Sequence, residues 1–103
     1  MSLGTELAAV SSGDITGDVA VMAGAGLLWG LQLSVGSTNS KLILYDEASA
    51  TGTVLAQITL DAGTEAADGT TTITFTQPVN VVNGIYADWG GTGAIGRVWY
   101  NKR

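Results

Sequence analysis

Almost every window of about eleven residues in this chain contains a glycine or a serine/threonine cluster, so the 3.6-residue apolar stripe of a helix has nowhere to run. Alternation takes its place. Leu27, Trp29, Leu31, Leu33 and Val35 fall two apart, as do Val54, Ala56, Ile58 and Leu60, while Ile73 and Phe75 alternate with Thr72, Thr74 and Thr76. Successive side chains of an extended chain point to opposite faces, so each run presents one apolar face to a core. Turn-forming clusters separate the runs: Ser11-Ser12-Gly13-Asp14, Gly36-Ser37-Thr38-Asn39-Ser40, Ala50-Thr51-Gly52, Asp61-Ala62-Gly63, Asp68-Gly69, Asn83-Gly84 and Gly90-Gly91-Thr92-Gly93. The pattern predicts about eight strands, near 17–23, 26–35, 41–46, 53–60, 70–77, 79–83, 84–90 and 94–101. Strands this short and evenly spaced predict an all-β, single-domain antiparallel β-sandwich of the jelly-roll kind.

Two local signals refine this expectation. Asn83-Gly84 is the strongest hairpin signal, because both residues tolerate the positive φ of a two-residue type I′ turn; it is expected to join two antiparallel strands. Pro78 follows the threonine-rich run, where a missing N–H does least harm at a strand end or sheet edge. Residues 1–14 fit neither period well and are expected to form an N-terminal arm on a sandwich of residues 15–103. At 103 residues the chain makes one domain with a small core, and no fixed-period repeat suggests a solenoid or propeller.

Composition closes many functional routes. The chain has no histidine and no cysteine, so imidazole acid–base catalysis, the Ser-His-Asp and Cys-His systems, thiolate zinc sites and disulfides all lack their central residue. Nine acidic side chains against four basic ones give a formal charge of −5, which opposes the phosphate backbone and argues against a nucleic-acid partner. Arg97, Lys102 and Arg103 crowd the C-terminus, leaving Lys41 as the one cation before them. The most apolar window, 19–33, is broken by Gly24, Gly26, Gly30 and Gln32 and falls short of a bilayer span, and the first residues carry no cationic leader. A soluble protein made in the cytoplasm, with no membrane partner, is expected.

Carboxylates are the chemistry that remains. Asp46-Glu47 ends the strand LILYDE, Asp14 and Asp18 flank Ile15-Thr16-Gly17, and Asp88 precedes Trp89, but nothing places two of them across a cleft as glycoside hydrolysis requires. The acidic loop 61–69, with Asp61, Glu65 and Asp68, could hold calcium, yet it lacks the dense D-x-[DN]-x-[DN]-G pattern. Gly91-Thr92-Gly93-Ala94-Ile95-Gly96 matches G-x-G-x-x-G literally, but too few residues follow for the helix and second strand of a dinucleotide site. No catalytic, cofactor-binding or metal-binding set emerges, so a non-enzymatic protein without a cofactor is expected.

The aromatics are more informative. Trp99 and Tyr100 are adjacent in a strand and cannot share a sheet face, so one must leave the core; Tyr86 has opposite parity to Ile85 and Trp89 and raises the same question. Tryptophan and tyrosine are favoured interface anchors, which makes Trp29, Tyr86, Trp89, Trp99 and Tyr100 candidate protomer contacts, with a sugar-stacking platform as the alternative.

The succession GLLWGLQLSV at 26–35, KLILYDE at 41–47, GTVLAQI at 52–58 and NGIYADWGGT at 83–92 resembles small virion proteins of tailed bacteriophages, in particular short jelly-roll or β-sandwich decoration (cement) proteins. The resemblance covers roughly residues 15–101. It implies a capsid decoration protein on the virion surface, a homotrimer, with the major capsid protein as partner. It also implies that the arm, through Leu3 and Leu7, and the spare aromatics make the contacts. A tail, knob or fibre-associated virion domain is the alternative within the particle, and a carbohydrate-binding module the alternative outside it.

Overall fold

The computed structural model describes residues 9–47, 52–62 and 69–102. Leu3 and Leu7, residues 63–68 of the proposed calcium loop and Arg103 lie outside the described residues. The strands are β1 (Val10–Ser11), β2 (Val19–Ala23), β3 (Gly26–Ser34), β4 (Ser40–Tyr45), β5 (Val54–Leu60), β6 (Thr70–Val81), β7 (Gly84–Gly90) and β8 (Ile95–Lys102). They form two antiparallel four-stranded sheets, ordered β1-β8-β3-β6 and β2-β7-β4-β5.

This order is a folded ribbon. β4 pairs with β5 as the innermost hairpin, and outward from it β3 pairs with β6, β2 with β7 and β1 with β8. Winding that double ribbon on itself adds the β3–β8 and β4–β7 pairs, which gives the jelly roll. Apolar periodicity decides which faces meet. Leu28, Leu31, Leu33, Val81 and Val98 point inward from the first sheet, and Leu42, Leu44 and Ile85 from the second, all essentially without exposure. Burying each such side chain contributes about 1.5–3 kcal/mol. The described residues include no helix long and apolar enough to cross a membrane.

Val10 and Ser11, expected in the N-terminal arm, instead form β1 and pair with Tyr100 and Trp99 of β8. Three further details differ from the sequence expectation. The predicted strands 70–77 and 79–83 are one strand, β6, in which residues 75–78 bulge opposite a single residue of β3: Leu28 pairs with Val79 and Gly30 with Thr74. Pro78 lies in that bulge on an edge strand, where no ladder donor is needed. Asn83-Gly84 does not close a hairpin, because β6 and β7 lie in different sheets and the chain crosses between layers there; only the glycine has positive φ, at 146°. The burial of Val81 and Ile85 on opposing layers overrides the local turn preference. Finally, Trp29 does not share the inward face of Leu31 and Leu33.

Candidate interaction surface

The last of these differences builds the surface. Against β8, Leu28 faces Tyr100 and Gly30 faces Trp99, so Trp29 is an inserted residue, a β-bulge that switches the parity of β3. Leu28 turns into the core, whereas Leu27 and Trp29 turn outward and remain half-buried. On β8, Val98 is fully buried opposite Leu31, so its neighbours Arg97 and Trp99 face out, and Asn101 follows on the same side. The Trp29 indole Nε1–H donates to Asn101 Oδ1, fixing that ring beside β8. Trp29 and Trp99 therefore flank one another on the outer face of the first sheet.

The outer face of the first sheet also carries polar pairs. Gln32 Nε2 donates to Thr72 Oγ1 at 2.9 Å, and the Ser34 and Thr70 hydroxyls bond at 3.0 Å, joining β3 to β6. Arg97 reaches the other way, to Asp14, with Nη2 at 2.8 Å and Nε at 2.9 Å from Oδ1. Both partners are about half exposed, so the pair orients the guanidinium more than it stabilises the fold.

The remaining candidate aromatics lie elsewhere. Tyr100 packs against the core beneath the first sheet, which settles the adjacent pair: Trp99 is the residue that leaves. Trp89 points inward from β7, its Nε1–H donating to the Ala94 carbonyl at 3.2 Å. Tyr86 faces out from the second sheet, opposite Tyr45 and Ala20. Of the candidate contacts among the described residues, then, the fold brings only Trp29 and Trp99 together. Strict alternation misses this because it carries no sign of the bulge; the Trp29-Gly30 dipeptide is the one local cue, since an interior strand glycine often marks a bulge.

Four of the described carboxylates, Asp14, Asp18, Asp46 and Asp88, have structural partners. Asp18 accepts the Trp89 backbone N–H at 2.8 Å, and Asp88 pairs with Lys41 at 3.3 Å. Asp46 is buried and accepts the backbone N–H groups of Val82 at 3.1 Å, Asn83 at 2.7 Å and Gly84 at 3.3 Å. It latches the end of β4 to the crossing between the sheets. Among the described residues no group of three or more acidic side chains could hold a metal ion. Gly91 and Gly93 sit in the β7–β8 turn, and Gly96 lies within β8, where a Cβ would meet Leu42 at 3.1 Å; a strand rather than a nucleotide-binding helix follows the motif. A cleft of about 180 Å³ between residues 12–15 and β2, bordered by Tyr100, is smaller than the ~300–1,000 Å³ typical of small-molecule sites.

No protein-family model, curated protein or solved structure matches the chain.

Proposed function

We propose that this protein is a non-enzymatic structural component of a tailed-phage virion, a decoration protein that binds the head and stabilises its shell. The outward placement of Trp29 and Trp99 carries this reading. An aliphatic core already fills the sandwich, so two tryptophans on an outer sheet face are available as anchors for another protein surface. The jelly roll is a fold of viral capsid domains, which supports the assignment at the level of fold, and the strand-and-turn resemblance to phage decoration proteins points the same way. Asp14, Asp18, Asp46 and Asp88, which could have served acid–base chemistry, are engaged in holding strands and turns.

Co-sedimentation with mature heads of a phage that carries the chain tests the proposal. The wild-type protein should pellet with the heads, and Trp99→Ala should weaken binding by about thirtyfold, the loss of one anchor of about 2 kcal/mol. Wild-type protein remaining in the supernatant would overturn the reading.

A carbohydrate-binding module is the second reading, favoured by the same two indoles with Asn101, Gln32 and Arg97 beside them as hydrogen-bonding groups. Titration with a broad glycan panel should then shift the tryptophan fluorescence, and Trp29→Ala should abolish the shift. A flat response across the panel dismisses that reading.

A further inference from the structure

β6 is an edge strand: β3 lies on one side of it, and among the described residues no strand lies on the other. The Val35 N–H donates to the Gly69 carbonyl at 2.9 Å, so Gly69 faces β3, and antiparallel alternation gives Thr71 and Ile73 the same orientation. Thr72 and Thr74 consequently direct their backbone N–H and C=O groups to the open side. Natural edges are commonly blunted by charge, proline or extreme shortness. Residues 70–76 of β6 contain no charge and no proline, and all are β-branched or aromatic.

We infer that β6 pairs antiparallel with β6 of a second copy of this chain, about a two-fold axis at Ile73. This register sets Thr72 opposite Thr74 of the second copy and Thr74 opposite its Thr72, so groups directed at the open side meet their counterparts. It also sets Ile73 against Ile73 in the closer, non-hydrogen-bonded pairing. Ile73 is half-buried on the core, and the contact covers its remaining exposed side. Outside, exposed threonines face threonines, a favourable cross-strand pair.

The bulge at 75–78 limits the regular stretch, and the two-fold operation consumes both edges, so the contact closes at two copies. A three-fold arrangement on a capsid would have to form through other surfaces. The inference goes beyond the virion reading and does not depend on it.

Light scattering and native mass spectrometry on the full chain, over a concentration series, provide the test. Wild type should give a dimer mass. Thr72→Lys with Thr74→Lys places like charges opposite each other and should raise the dissociation constant at least about tenfold. Thr72→Lys with Thr74→Glu instead sets Lys against Glu across the axis and should retain the dimer. Both positions are exposed, and a cooperative thermal melt verifies that each variant folds; Thr74→Lys alone serves if the double variant does not. A monomeric or trimeric wild type, or a dimer indifferent to paired lysines, would overturn the two-fold contact. So would a chain monomeric alone that binds phage heads through this edge.

Discussion

Asp46→Ala should melt roughly 10–20 °C below wild type, the shift that a loss of about 2–3 kcal/mol produces in a domain of this size. The carboxylate is buried and is the acceptor for three consecutive backbone donors, those of Val82, Asn83 and Gly84. Alanine leaves these donors without their acceptor at the point where the chain leaves one sheet for the other. Gly84 cannot easily rearrange: its φ is 146°, and a Cβ there would stand 2.6 Å from the Met22 carbonyl oxygen. Asp46→Asn keeps one acceptor oxygen and should lose less than half as much. Calorimetry decides the matter; an Asp46→Ala melt within a few degrees of wild type would show that the crossing holds without the latch.

Gly36→Ala should be as damaging, by roughly 3 kcal/mol or more, for a reason of space. A Cβ on Gly36 would lie 1.9 Å from the Thr92 carbonyl oxygen and 2.6 Å from the Ala94 nitrogen, both backbone atoms that no rotamer change can move. The two turns are already tied together, Ser37 N–H to the Thr92 carbonyl at 2.8 Å and Thr92 N–H to Thr38 Oγ1 at 2.8 Å. Making room therefore breaks these bonds. Urea unfolding should show a lower midpoint with an unchanged slope. Gly17→Ala is the control, because nothing lies within 4 Å of a Cβ built there.

The strands were legible because one face of each had to be buried, and period-two alternation records that directly. Ala56, Ile58 and Leu60 of β5 follow the expected alternation, although Val54, beyond a register shift and opposite Tyr45, is exposed, and the 84–90 strand has the expected bounds. Where alternation failed, a longer-range constraint prevailed. Leu27 and Trp29 continue the spacing of Leu31 and Leu33, but the bulge opposite β8 reverses them, and β8 lies far along the sequence. Asn83-Gly84 has the chemistry of a hairpin turn, yet the demand that β6 and β7 cover opposite sides of one core made it a crossing. Asp46 looked like spare chemistry at a strand end; its three donors lie 36–38 positions away, so no local pattern could reveal the latch. For the candidate surface, parity correctly required one of Trp99 and Tyr100 to leave the core, and only register could say which.

The nested ribbon also sets the order in which the molecule can assemble. Tyr45 and Val54 meet across a short connection, whereas Val10 and Tyr100 must find each other from opposite ends of the chain. Loop-closure entropy rises with the length enclosed and must be met before the contact returns anything, so the β4–β5 hairpin can form early and β1 docks last. Folding for such a topology belongs to the millisecond-to-second range rather than the microseconds of a helical bundle. While it proceeds, β8 stays uncovered along the side that β1 will occupy, and that temporary vacancy is where a neighbouring chain could enter by strand exchange.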